Sequence, residues 1–194
     1  MEPINYDKYF WQNELVRLRA TEPRDWETHF FSYYDSEARF MLQEEVELPP
    51  TRTDTQEFSK KWDDFKVTDG RLMFTIETLD GKAVGGLNLN GINERHGTFS
   101  IGIQIFPGER GKGYGTAAVR LLLKYAFLER RLNKFCSGWL EGNEGSEKMH
   151  AKLGCVVEGR LRQMTYHNGR YYDWIRVGLL KDEFIVNEKK LSGK

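Results

Sequence analysis

Residues 107–119 read PGERGKGYGTAAV, with glycines at 108, 111, 113 and 115 directly before a run that can only be helix. Glycine loses more backbone freedom on folding than any other residue. A chain that keeps four of them at the mouth of a helix gains something from the missing side chains. A Walker loop needs Gly-Lys-Ser/Thr after its second glycine, and GERGKGYGT has no such ending. A dinucleotide fingerprint needs G-x-G-x-x-G inside a parallel βαβ unit, and both spacing and context differ here. The general reading remains. Without Cβ atoms, successive backbone N–H groups can converge on an anion, and the helix start adds unpaired donors and a favourable dipole. Arg110 and Lys112 add positive charge. The stretch reads as a pyrophosphate cradle. The alternative is a tight strand-to-helix turn with surface basics, for which four glycines are more than required.

The elements around this turn set the fold class. LVRLRA (15–20) alternates as a short strand. TEPRDWETHFFSYYDSEARF opens with turn chemistry and continues as an aromatic helix, and Pro49 and Pro50 break the chain. Thr53 and Gln56 resemble the capping box of a second helix, in which Phe58, Trp62 and Phe65 recur at helical spacing. From Arg71 the period changes. RLMFTIETL, the turn DGK, AVGGLNLNGI and GTFSIGIQIF read as three successive antiparallel strands. After the glycines, TAAVRLLLKYAFLERRL predicts a helix of about four turns. KFCSGWLE is a buried strand, and SEKMHAKLG a short helix ended at Gly154. CVVEGRLRQMTY and RYYDWIRVGLL close the chain as a hairpin around His167–Asn168–Gly169. The order β-α-α-β-β-β-α-β-α-β-β predicts a mixed α/β fold with a mostly antiparallel central sheet flanked by helices. Residues 1–194 are expected to form one domain, with its core over about 12–184.

Charge narrows the partners. The formal net charge is zero, but residues 1–70 carry sixteen acids and nine bases, and residues 71–194 thirteen and twenty. A nucleic-acid binder usually shows a basic excess, so no nucleic-acid partner is expected. The asymmetry suits a protein that meets an anion with its later part and a cation with its earlier part, or it is a solvated bias. No apolar stretch is long enough for a membrane span, and the polar start MEPINYDKYFWQNE is unlike a secretory signal. Cys136 and Cys155 lack metal-ligand spacing and read as buried thiols in a reducing cytosol. No metal and a cytoplasmic location are the expectations.

Arg110-Gly111-Lys112-Gly113-Tyr114-Gly115 resembles the R/Q-x-x-G-x-G/A motif of the GNAT superfamily of acetyl-CoA-dependent N-acetyltransferases. The later segment EGNEGSEKMHAKLGCVVEGRLRQMTYHNGRYYDWIRVGLLKDE is similar to the subgroup that includes ribosomal-protein N-terminal and spermidine acetyltransferases. The likeness runs over nearly the whole chain. It implies a GNAT-like fold that moves an acetyl group from acetyl-CoA directly to a primary amine, on a polyamine-like small molecule or a protein N-terminus. A non-catalytic acyl-CoA-binding module of the same fold is the rival reading. The family forms monomers, dimers and larger rings, so a homo-oligomer is among the expectations.

The resemblance also implies a site. Pyrophosphate would rest on the amides of Gly111, Lys112, Gly113, Tyr114, Gly115 and Thr116, and main-chain groups of Ile103, Gln104 and Ile105 would pair with the pantetheine arm. Arg110 and Lys112 would contact phosphate or stay solvated. Asn143 matches a family Asn that bonds the cofactor arm or orders its loop, and otherwise forms an ordinary Asx turn. Ser146 reads as the N-cap of the short helix. Seven residues after Asn143, where many relatives carry a proton-donating Tyr, this chain has His150. It is a candidate general acid, or a helix histidine without chemistry. Ten residues before Arg110, where relatives often place a carboxylate base, stands Ser100. Glu141 and the acidic N-terminal segment are other possible sources of a base. The acceptor cleft would draw on Trp26, His29, Phe30, Phe31, Tyr33, Tyr34, Glu44, Glu45 and Glu47. Aromatic walls with carboxylates suit a cationic amine, unless the aromatics are core and the acids solvated.

Overall fold

The structure is a computed structural model that describes residues 4–61 and 71–191. Strand β1 (Val16–Ala20) is followed by helices α1 (Trp26–Ser32), α2 (Ser36–Gln43) and α3 (Arg52–Lys61). Strands β2 (Leu72–Thr78), β3 (Ala83–Asn93) and β4 (Thr98–Ile105) lead to α4 (Tyr114–Lys124). Then come β5 (Lys134–Leu140), α5 (Glu144–Leu153), β6 (Val156–His167), β7 (Arg170–Leu180) and α6 (Lys181–Leu191). The seven strands form one sheet in the order β1-β2-β3-β4-β5-β7-β6. Every neighbouring pair is antiparallel except β4 and β5. This is the mixed, mostly antiparallel α/β fold expected from the sequence.

One face of the sheet is apolar because alternate strand residues are. Leu18, Phe74, Ile76, Leu87, Leu89, Phe99, Phe135 and Leu179 pack against Val119, Leu122 and Leu123 of α4, with Leu153 and Phe184 from α5 and α6. The opposite face of β1 and β2 is polar yet buried. Arg17 and Arg19 both bond Glu77, at 2.9 and 2.6 Å, and Arg19 also holds Asp25 at 2.7 Å. Thr75 donates to Asp25 at 2.9 Å, so the network fastens the lead-in to α1 onto the sheet with its charges paired.

Several element ends depart from expectation for local reasons. The aromatic stretch is a 3₁₀ turn (Pro23–Asp25) followed by two helices, because Asp35 caps Ala38 N at 3.2 Å and starts a new one. The cap of α3 is Thr51, whose hydroxyl accepts from Asp54 N at 3.0 Å, in place of Thr53. Helix α3 buries Thr55 and Ser59 and leaves Phe58 exposed, while Trp62 and Phe65 lie outside the described residues. After α4 the chain widens into a π-helical turn (Tyr125–Glu129). Helix α6 was not expected; the Glu183 carboxylate accepts from Leu180 N at 2.8 Å and caps its start. Among the described residues no helix is long and apolar enough to cross a membrane.

Candidate active site at the fork between β4 and β5

The parallel pair β4–β5 is short. Thr98 pairs with Lys134 and Phe99 with Phe135, and the Ser100 hydroxyl then donates to the Cys136 carbonyl at 2.9 Å. Beyond this tie the strands diverge, while β4 stays paired with β3 and β5 with β7. The sheet is therefore forked from residue 101 on β4 and residue 137 on β5. Ser100, at the position of the missing carboxylate base, closes the root of the fork.

Strand phase decides which main-chain groups face the gap. Phe106 N donates to Val84 O at 2.9 Å, so Gln104 and Gly102 turn their main chain to β3, and Ile101, Ile103 and Ile105 turn theirs away. The Ile105 carbonyl accordingly accepts from Arg110 Nε at 3.0 Å. Of the three expected pantetheine partners, Ile103 and Ile105 present main chain to the fork. Gln104 does not: its carbonyl oxygen lies 2.4 Å from where a Cβ on Gly85 of β3 would be. The Gln104 side chain instead lies on the polar face, where Oε1 accepts from Arg39 Nη1 at 3.2 Å and from Ser32 at 3.4 Å. Its Nε2 is buried without a partner.

The glycine turn stands at the rim. Gly108, Gly111 and Gly113 have φ of +80, +79 and +87°, values that favour glycine. A Cβ on Gly111 would meet nothing within 4 Å, whereas one on Gly115 would lie 3.5 Å from the Ile105 side chain, so Gly115 seats α4 closely on β4. Gly113 is the N-cap of α4 and provides no side-chain cap, which leaves the N–H groups of Tyr114, Gly115 and Thr116 without a capping side chain. Arg110 and Lys112 are both engaged: Arg110 bonds Asp35 at 2.7 Å and Lys112 bonds Glu109 at 2.8 Å. Glu109 also pairs with Lys82, and these two lysines hold its carboxyl below the ordinary range. Lys82 was not among the expected residues. Its signal was the register: the start of β3 lies beside the end of β4, which places the DGK turn against the glycines.

Across the fork, the N-cap of α5 is Asn143, whose Oδ1 accepts from Ser146 N at 3.0 Å. The Asx-cap role therefore falls to Asn143 and not to Ser146, which sits one turn inside the helix. His150 is only 2% exposed, its ring lying against Trp139 and Phe135 of β5 at centroid distances of 5.1 and 6.1 Å. Nδ1 lies 2.8 Å from the Ser146 carbonyl oxygen, and Nε2 lies 2.8 Å from Ser137 Oγ. A carbonyl can only accept, so Nδ1 carries the hydrogen and Nε2 of the neutral ring accepts from the Ser137 hydroxyl. Burial lowers the pKa of His150 against the opposing effect of the Ser146 carbonyl. In the neutral ring Nε2 is thus a proton acceptor toward Ser137.

On the polar face, α1 and α2 lie over the fork. The two bonds of Arg39 to Glu47 are both 2.5 Å, and its guanidinium lies 4.4 Å over the Tyr33 ring. Glu44 accepts from Thr165 of β6 at 3.2 Å, and Phe40 stacks on His167 at 3.7 Å, which joins α2 to the β6–β7 hairpin. Phe30 is buried, while Phe31 and Tyr34 are exposed. His29 lies against Gly86 of β3, with Nε2 buried and unpartnered. The expected cationic-amine cleft therefore contains its own buried arginine, which already holds Glu47. Cys136 and Cys155 are half-buried free thiols, and burial with Glu183 pushes Cys155 up to about 12.

The sheet thus opens between two parallel strands, with an uncapped, glycine-lined helix start at its rim. Residues 16–156 match the family model described as acetyltransferase (GNAT) domain, and the chain belongs to this family of N-acetyltransferases. It is 29% identical over 178 residues to the SPbeta prophage-derived uncharacterized N-acetyltransferase YokL of Bacillus subtilis (strain 168), covering 92% of this chain and 97% of that protein. It is also 29% identical over 175 residues to the spermidine N(1)-acetyltransferase of Escherichia coli (strain K12), covering 90% of each. A crystal structure of spermidine N-acetyltransferase from Vibrio cholerae in complex with CoA and spermine shares the fold, with a TM-score of 0.77 at 24% identity, over 89% of this chain and 99% of that one.

Proposed function

We propose that this N-acetyltransferase binds acetyl-CoA in the fork between β4 and β5 and transfers the acetyl group directly to a primary amine. The observation that carries the reading is the coincidence of the fork with the uncapped, glycine-lined start of α4. The anionic pyrophosphate fits the N–H groups of Gly111 through Thr116, where a Cβ on Gly111 would point into open space. The outward main chain of Ile103 and Ile105 supplies strand-like partners for the amide-bearing pantetheine arm, and an outward N–H can stabilise the thioester oxygen as charge develops on it. Lys82, Arg110 and Lys112, set against Glu109 and Asp35, leave the rim with one net positive charge toward phosphate. Asn143, once its Oδ1 is engaged in the cap, has its NH₂ as the group left for the cofactor arm. Acetyl-CoA reacts as co-substrate. The amine approaches from the α1–α2 face, where aromatic and acidic side chains line the approach. The spermidine acetyltransferase relative supports a polyamine as acceptor, and the later segment, which resembles ribosomal-protein N-terminal and spermidine acetyltransferases alike, is compatible with a peptide α-amine as well.

Calorimetric titration of acetyl-CoA into wild type and Gly113→Asp tests the cofactor site. Aspartate tolerates positive φ better than most residues, so the fold should persist. A carboxylate against the diphosphate should weaken binding about a hundredfold or more. Equal affinity for both proteins would place the cofactor elsewhere. Release of CoA with spermidine, a free-amine tetrapeptide and an aminoglycoside identifies the acceptor class. Tight binding with no release for any of them would favour the binding-module reading.

A further inference from the structure

We propose that Ser137 is the residue that carries protons during acetyl transfer, with His150 as its buried proton-accepting partner. The inference rests on the acetyl-transfer reading above and names a group that neither the family motif nor the glycine turn involves.

The first observation is a directional chain of hydrogen bonds. The Ser146 carbonyl fixes the proton of His150 on Nδ1, and the bare Nε2 accepts from Ser137 Oγ at 2.8 Å. This is a hydroxyl, a base and an orienting group in hydrogen-bond reach of one another. The second observation is location. The last tie between β4 and β5 is the Ser100–Cys136 bond, and Ser137 is the next residue, the first of β5 to border the open fork. The third is accessibility. Ser137 is half-buried, whereas His150 is 2% exposed behind it, so on the β5 side the hydroxyl of Ser137 stands between the ring and solvent; Ser146, at the other end, is half-buried within α5. The ring's other neighbours are Phe135, Trp139 and the Ser146 hydroxyl, 3.2 Å from Nδ1, and no charged side chain among the described residues shifts its titration.

The chemistry closes on itself. Ser137 shares the α5 face of the sheet with Phe135 and Trp139, so as the neutral amine attacks the thioester carbon from the α1–α2 face, its proton passes through water in the gap to Ser137 Oγ while the Ser137 proton passes to Nε2, and His150 becomes imidazolium. The new C–N bond replaces the C–S bond. The imidazolium then returns its proton through Ser137 to the departing thiolate, which leaves as the CoA thiol. The proton lost by nitrogen ends on sulfur, and both side chains are restored. Neither the missing strand carboxylate nor the missing tyrosine is then required.

The test compares wild type, Ser137→Ala and Ser137→Thr in CoA release from acetyl-CoA with spermidine and with a free-amine tetrapeptide, across pH 5 to 8. The relay predicts that wild-type kcat falls on the acid side, at a pH below the ordinary histidine value of 6.5 because burial lowers His150, since the protonated ring cannot accept. It predicts that Ser137→Ala lowers kcat about a hundredfold and flattens that acid limb. The calorimetric affinity for acetyl-CoA should change less than twofold, and Ser137→Thr should recover most of the rate. Wild-type kcat in Ser137→Ala, or an unchanged acid limb, would overturn the relay. So would an acetyl group found on Ser137 by mass spectrometry after exposure to acetyl-CoA alone, since Ser137 would then be a nucleophile. Absence of turnover in wild type with either amine would count against the acetyl-transfer reading and remove the relay with it. Its own failure is distinguished by wild-type turnover that is indifferent to Ser137.

Discussion

Glu109 sits between two lysines, Lys112 from its own turn and Lys82 from the β2–β3 hairpin, so the three side chains together carry one positive charge. Removing Lys82 leaves a neutral pair beside the pyrophosphate turn. Lys82→Ala should therefore weaken acetyl-CoA binding about two- to fivefold at low ionic strength, the scale of an exposed charge contact. The difference should shrink in high salt, because screening acts on exposed charges first. Titrations at two salt concentrations check this, and a salt-independent loss would point to packing. The glycines were legible in the sequence, since nothing except φ and space selects them. Lys82 was not, because its role depends on which strand ends meet. Gln104 was misjudged for a similar reason. Consecutive residues of a strand point their main chain in opposite directions, and only the register to β3 shows which of Ile103, Gln104 and Ile105 face the gap.

At the scale of elements, α5 carries the clearest test of a two-sided reading. Asn143 could order the cofactor arm or cap the helix, and its Oδ1 bonds Ser146 N at 3.0 Å. Asn143→Ala should lower stability by about 1 kcal/mol, the usual loss for an N-cap. If the cap is its main task, acetyl-CoA affinity should stay within about twofold, below the 1.4 kcal/mol that a tenfold change represents. Thermal unfolding and calorimetry on the same variant separate the two roles, and a tenfold loss of affinity at unchanged Tm would reverse the assignment. Asn143 and Ser146 are both good cap residues three positions apart, so composition alone could not choose between them. The break between α1 and α2 was marked by Asp35 three residues before Ala38, but the continuous aromatic run obscured it. Long periodic segments, the hairpin turn at Asn168–Gly169 and the Gly154 C-cap needed no such choice and appear where the sequence placed them.

For the whole molecule, the two faces of the sheet respond differently to acid. The α4 face is held by apolar burial, which has no protons to lose or gain. The polar face and α5 hold groups whose charge state is set by burial. Burial lowers the pKa of His29, with Arg39 and Arg19 adding to this and Asp25 opposing it, and burial likewise lowers His150. Burial raises Asp25, but the Arg19 bond, the Glu22 N–H and Thr75 outweigh it and hold the carboxyl below 3.8. The unfolded chain therefore binds more protons than the folded one wherever these groups differ, and stability falls as pH falls. The histidine contributions are complete above their ordinary value of 6.5 and are lost below it, toward their lower folded values. The Asp25 contribution is lost only later, below 3.8. Urea unfolding should accordingly show a first decline between pH 7 and pH 5, with a slope of up to about 1.4 kcal/mol per pH unit for each histidine. His29→Leu removes one titrating ring from a site whose Nε2 has no partner, so it should reduce that slope by the share of one proton while leaving the later acid transition in place. A flat wild-type stability from pH 7 to pH 5 would mean that both rings take up protons as readily in the folded chain as in the unfolded one. That outcome would place the acid limb of the Ser137 relay at the ordinary histidine value of 6.5, where His150 is still neutral at pH 7 and above.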